Sequence, residues 1–256
     1  MGLGFYASGS RHSTICDHKS CIIPTMIRRQ DISGQTLQEQ TYQALRRGIL
    51  DGDFIPGRTM TIRGIADELG VSAMPVREAL RRLAAERALT MSPTGRVSVP
   101  LMHREKLEEL VKARICLERQ AAMDAVPEIT AVLVRRLGEL NLAIDTAIEE
   151  SNHRRYLAAH REFHFSIYRL GGCNVLLPLI ECIWLQMSPF LRFTLSQEHL
   201  AQYDSIDRHR EIMDAAESRD RDGLAQAVES DIRQGIGALM ESDWKSLEEL
   251  MLSHAH

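Results

Sequence analysis

The chain has 256 residues, 44% of them hydrophobic and 26% charged, which allows two domains with cores of their own. Five cysteines, odd in number and without a CxxC spacing, exclude a disulfide framework or a zinc ribbon and fit a reducing, cytoplasmic setting. Aromatic residues are scarce at 5%, and no apolar run approaches the roughly 18 residues that span a bilayer. The net charge of −4 is uneven: residues 1–100 carry +4 and the remainder −8, so a basic front suited to a polyanion precedes an acidic back.

The first 33 residues, rich in Gly, Ser and His without periodicity, read as a disordered arm. Thr36 to Asp51 has helical spacing, with Leu37, Tyr42, Leu45 and Ile49 on one side, and ends at Gly52. A short second helix recurs at Ile62, Ile65, Ala66 and Leu69, with Gly70 placed for a left-handed cap. Ser72 offers an N-cap hydroxyl and Pro75 lies in the first turn of a third helix, which runs to about Arg87. That helix buries Val76, Ala79, Leu80, Leu83 and Ala84. Leu89–Met91 and Arg96–Val99 then alternate as strands around a turn at Gly95, and Pro100 closes the hairpin. The order predicts a winged helix-turn-helix over 34–100, three helices plus a β-hairpin wing. From 103 to 253 the pattern is helical throughout, in about six stretches: 103–125, 127–150, 152–170, 174–197, 204–218 and 220–252. The fold class is therefore mainly α, with an all-α bundle behind the winged helix.

The buried stripe of the third helix leaves Arg77, Glu78, Arg81 and Arg82 outward, and Arg63 stands in the first turn of the second. An arginine fork grips guanine O6/N7 or a phosphate bidentately, as a helix entering the major groove requires. Taken alone, such a face is more often plain solvated surface; the helix, turn, helix and wing around it reverse that preference. The segment Tyr42–Pro100 resembles the DNA-binding domain of the GntR family of bacterial regulators. The resemblance is carried by Tyr42-x-x-Leu45-Arg46-x-x-Ile49, Gly52-x-x-x-Pro56-Gly57, Leu69-Gly70-Val71-Ser72, Pro75-Val76-Arg77-Glu78-Ala79-Leu80 and Gly95. It implies DNA contacts at Arg63, Ser72, Arg77 and the wing near Gly95, to which the exposed helix adds Met74 and Arg81. The family usually has an arginine directly after the serine of the turn; here Ala73 and Met74 follow Ser72, so the operator of relatives does not transfer.

In the helical half, His160 and His164 are four residues apart, a spacing that lets two imidazoles meet one metal ion. Histidines so spaced are more often ordinary surface or core residues. The stretch from about 105 to 240 resembles the FCD type of GntR sensor domain, through Arg114-x-x-x-Glu118, Phe163-His164, Gly171-Gly172-Cys173-Asn174 and His209-Arg210-x-Ile212. Many such domains hold a divalent metal with an aspartate, a histidine four residues on, and two histidines from later helices. The resemblance places those positions at His160, His164, His209 and Asp231, with the first and last ligand types exchanged. Three imidazoles and a carboxylate suit zinc, nickel or manganese; a metal-free polar pocket is the alternative. The resemblance also implies an organic acid at the metal's open positions. Arg114 is a counter-charge for it or the i, i+4 partner of Glu118, and Arg192 is a weaker candidate.

These readings lead to a homodimeric regulator, a repressor by expectation, that binds double-stranded operator DNA and answers to a small carboxylate. A regulator for which the metal is the signal is a second reading. A metal-dependent hydrolase is a distant third, because HExxH and GxSxG motifs are absent from the sequence.

Overall fold

The computed structural model describes residues 35–172, 174–191 and 208–241, with Trp244 and Glu249. The expected arm over 1–33, Arg192, Cys16, Cys21 and Cys173 lie outside the described residues.

Helix α1 (Leu37–Leu50) starts where Thr36 Oγ1 accepts from Glu39 N at 3.3 Å, and Gly52 at φ 74° turns the chain out of it. The sequence reading missed strand β1 (Thr59–Thr61). Three residues are too few for an alternation to show, and β1 exists because the wing pairs with it. Helix α2 (Ile62–Leu69) is capped by Thr61 and stopped by Gly70 in the left-handed conformation expected of it. Helix α3 (Ala73–Ala85) follows, then strands β2 (Thr90–Met91) and β3 (Arg96–Ser98). Strands β1 and β2 each pair antiparallel with the central β3, giving a sheet in the order β1-β3-β2. Gly95 takes φ 78° at the hairpin turn, where its N–H donates to Ser92 O at 3.0 Å.

Six helices follow among the described residues: α4 (Arg104–Ala125), α5 (Ala131–Glu149), α6 (His153–Tyr168), α7 (Leu176–Leu191), α8 (Arg208–Ser218) and α9 (Arg221–Glu241). The stretch expected as one helix from 127 begins instead as a 3-10 turn at Val126–Glu128, and Thr130 caps α5 through Leu133 N. Pro127 explains the offset, since it has no N–H to continue the hydrogen bonds of α4. Helix α4 packs on α7 and α9, α5 on α6 and α8, and α8 on α9.

The winged helix is not a bead on a string. Helix α1 packs against α7, and one continuous core runs from Leu45 and Leu83 through Met102 and Leu107 to Ile180 and Ile232. Charged pairs tie the same halves together. Arg46 Nη2 meets Glu181 Oε2 at 2.9 Å, Arg154 Nη1 meets Asp53 Oδ1 at 3.0 Å, and Arg161 Nη1 meets Asp51 Oδ1 at 2.9 Å. No described helix is long and apolar enough to cross a membrane.

Candidate DNA interface and metal centre

Helix α3 buries Pro75, Val76, Ala79, Leu80 and Leu83 against α1 and the sheet. What remains outside is Ser72, Ala73, Met74, Arg77, Glu78 and Arg81, a strip along the helix's first three turns. Arg63 on α2 is exposed as well, and Gly95 is half-buried at the tip of the wing. Ser72 occupies the N-cap position as expected, but its hydroxyl caps no backbone N–H. Arg81 Nη1 lies 3.6 Å from Glu78 Oε2, both well exposed, a weak solvated pair. Met74 is 69% exposed, the second highest among the large hydrophobic residues described. Arg82 is exposed, as the sequence led one to expect, but leans back to α1: it stacks 3.6 Å over the Tyr42 ring and pairs with Glu39 at 2.7 Å.

Helix α6 carries an aromatic stripe at i, i+4 spacing: Tyr156, His160, His164 and Tyr168. His160 stacks on Tyr156 with ring centroids 5.3 Å apart and meets His164 edge-on at 4.7 Å. Helix α8 brings His209, its ring 5.3 Å from that of His160 and 5.6 Å from that of His164. Helix α9 brings Asp231, whose Oδ2 is 3.2 Å from His164 Nε2 and whose Oδ1 is 3.5 Å from His209 Nε2. The four residues each offer one ligand atom within 4.8 Å of the others. The structure thus brings together all four positions that the resemblance implied.

The surroundings are dry. His164 is completely buried, and His160 and Asp231 are nearly so. Burial and the neighbouring His164 hold the His160 imidazole far below its ordinary range, which leaves it neutral and fit to ligate. Burial opposes the charge on Asp231, but His164 and His209 outweigh it and push the carboxyl far down. Among the described residues, His160 Nδ1 and His164 Nε2 are buried without a hydrogen-bond partner. Orphaned buried nitrogens facing a carboxylate are what a metal ion satisfies, so the donor set fits a divalent cation.

Arg114 does not reach into this cluster as a free fork. Its Nε and Nη2 donate to Glu118 at 2.7 and 3.3 Å, and its guanidinium lies 4.6 Å over the Trp184 ring. Burial works against the Arg114 charge, yet the adjoining Glu118 more than compensates and raises it. Sequence reasoning passed over Tyr156, Tyr168 and Trp184. The i, i+4 stripe on α6 was readable; the approach of Trp184 from α7 has no local signal.

A winged helix with an exposed arginine-bearing α3, set against a helical domain that encloses a polar cluster, defines a DNA-binding regulator with a helical second domain. Residues 37–99 match the bacterial regulatory proteins of the gntR family, and residues 109–234 match the FCD domain. The chain belongs to the GntR family of transcriptional regulators, in the group that carries an FCD domain. It is 27% identical to the HTH-type transcriptional regulator McbR of Escherichia coli over 80% of this chain and 94% of that one. It is 25% identical to the gluconate operon transcriptional repressor of Bacillus subtilis over 72% and 77% of the respective chains. The solved structure of E. coli McbR/YncC superposes with a TM-score of 0.73 at 25% identity, covering 83% of this chain and 99% of that one.

Proposed function

We propose that this protein is a homodimeric, cytoplasmic repressor whose affinity for operator DNA is set by a small carboxylate held at a metal ion in the helical domain. Residues 34–100 form the DNA-binding unit and 103–253 the sensor and dimerisation unit. The observation that carries the reading is the convergence of His160, His164, His209 and Asp231 from three helices, behind a winged helix that leaves Arg77 exposed. Those four residues would hold zinc, nickel or manganese, and the ion would offer open positions to a carboxylate. The basic front and its family give the protein a DNA target, which a hydrolase reading leaves without a purpose. The pairing of Arg114 with Glu118 favours a second reading, in which the metal itself is the signal, because the guanidinium is already engaged. Operator binding across a zinc titration, with and without a panel of small carboxylates, separates the two. Response to zinc alone supports the second reading, and response only with an acid supports the first.

At the DNA surface, Arg63 and Ser72 are assigned to phosphates, Arg77 and Arg81 to base edges and Gly95 to the close approach of the wing. Ala73 and Met74 put apolar surface where relatives place a charge, and the apolar feature of the major groove is the thymine methyl. Replacing single thymines by deoxyuridine in the operator is expected to weaken wild-type binding at one or two positions per half-site, by about 1 kcal/mol each. Met74→Ala should become insensitive to the same replacement. A wild type indifferent to every such replacement in competition binding removes Met74 from readout.

Dimerisation is assigned to 103–253, since a winged helix alone buries little surface and a two-fold operator needs two. Residues 103–256 alone are expected to sediment as a dimer at micromolar concentration. Arg154 and Arg161 lose their partners in that fragment but are partly exposed and return to water cheaply. A monomer in sedimentation counts against the assignment.

A further inference from the structure

Glu118 lies at the centre of a buried set of donors that ends on one of the proposed ligands. Its Oε1 accepts from Arg114 Nε at 2.7 Å and from Trp184 Nε1 at 3.0 Å. Its Oε2 accepts from Arg114 Nη2 at 3.3 Å and from Tyr168 Oη at 2.9 Å. A carboxylate has about four lone-pair directions, so four donors fill it. Tyr168 has a single proton, and the charge-assisted bond to Glu118 takes it. The same phenol oxygen lies 3.3 Å from His164 Nδ1. With its own proton committed, Oη meets the imidazole only as an acceptor, and the imidazole must donate from Nδ1. Every member of the chain is buried: Arg114, Glu118, His164, Tyr168 and Trp184 are at most 3% exposed, so water does not offer Tyr168 an alternative partner.

We infer that Tyr168, oriented by Glu118, is a positioning residue that accepts from the Nδ1–H of His164 and so turns Nε2 toward Asp231 as the ligating nitrogen. The Nδ1–H bond to Tyr168 belongs to the metal-free protein; only its use rests on the metal reading above. Nε2 lies 3.2 Å from Asp231 Oδ2, so a proton on Nε2 holds the pair in the metal-free protein and a metal ion that binds both takes its place. A histidine that ligates through one nitrogen commonly donates from the other to an oxygen, which locks the ring and raises its basicity. Here that oxygen is a phenol made acceptor by a carboxylate behind it. Arg114 balances the Glu118 charge, so the support adds no net charge beside the ligands. Two helices carry most of the device, with Arg114 and Glu118 four apart on α4 and His164 and Tyr168 four apart on α6, and α7 adds Trp184.

The test begins with full-length, metal-free protein labelled with 15N-histidine, in which long-range proton–nitrogen spectra report each ring's tautomer. His164, assigned by the signal lost in His164→Gln, should show a protonated Nδ1. An Nδ1 without a proton overturns the inference without reference to any variant. Tyr168→Phe removes one oxygen and should shift the ring toward the Nε2–H form, which donates to Asp231. Zinc affinity, read by competition with a chromophoric chelator, should fall by about 10–100-fold. Trp184→Phe removes another donor from the same carboxylate and should leave the His164 tautomer unchanged, which a purely structural loss does not predict. Equal zinc affinity in wild type and Tyr168→Phe also overturns it. A wild type that binds no zinc defeats the metal reading instead, while the metal-free spectra still decide the tautomer.

Discussion

Arg77→Ala should abolish specific operator binding while the fold and the dimer persist. The side chain stands exposed in the first turns of α3, so removing it touches neither the Val76–Leu80–Leu83 stripe nor the wing. A good bidentate contact to a base discriminates by about 1–3 kcal/mol, and a two-fold complex loses it twice. The combined loss of about 2–6 kcal/mol corresponds to a fall in affinity from roughly thirty-fold to more than ten-thousand-fold. The measurement is a gel shift or anisotropy titration at matched salt, because phosphate contacts alone hold DNA non-specifically and weaken steeply as salt rises. Non-specific binding should survive in the variant. Near wild-type affinity for the operator would remove Arg77 from sequence readout and leave Arg81 as the candidate.

The second large effect concerns the metal. Protein purified without chelators should carry close to one equivalent of a divalent transition metal per chain, and His164→Ala should lose most of it. Losing one of four ligands weakens the site and leaves a buried carboxylate, Asp231, short of its closest histidine. An ion that binds only the folded state stabilises it by mass action, by about 4 kcal/mol at a thousand times its Kd. For a domain of this size that is a rise in melting midpoint of about 8–16 °C. Chelation should therefore lower the midpoint in wild type and leave His164→Ala unmoved. It should disturb the response to effector more than bare DNA binding, because all four residues lie outside the winged helix. A metal-free pocket gives a different pattern: little metal in either protein and the same melting curve with or without EDTA. Elemental analysis of the two side by side sinks one reading.

What could be read from the residues, and what could not, follows the range of the interactions involved. Gly70 and Gly95 were legible because a left-handed backbone is a local demand that the residue itself announces. The stripes of α2 and α3 were legible because burial on one face imposes a period. His160 and His164 showed their common face for the same reason, but spacing alone leaves such a pair more often ordinary than functional. Their meeting with His209 and Asp231 depends on how α6, α8 and α9 pack, and family resemblance, not periodicity, supplied it. Strand β1 was invisible because its hydrogen bonds belong to a partner some forty residues away. The free hydroxyl of Ser72 was equally hidden, since residue type names a cap but not whether the bond forms. Tyr168 escaped because a tyrosine on a buried stripe looks like packing until its hydroxyl is found between a carboxylate and a histidine.

The ion pairs between Asp51, Asp53 and Arg46 on one side and Arg154, Arg161 and Glu181 on the other bear on how such regulators can be recombined. Along the chain, residues 100–103 look like a natural place to graft this DNA-binding unit onto a foreign sensor. In space the cut severs these pairs and opens a core shared by α1 and α7. Asp51 is nearly buried, so a chimera whose sensor lacks the facing arginine strands a carboxylate at the new joint. The unit that can be exchanged is therefore defined by its charges as well as by its sequence limits: a donor sensor must bring cations opposite 51 and 53 and an anion opposite 46.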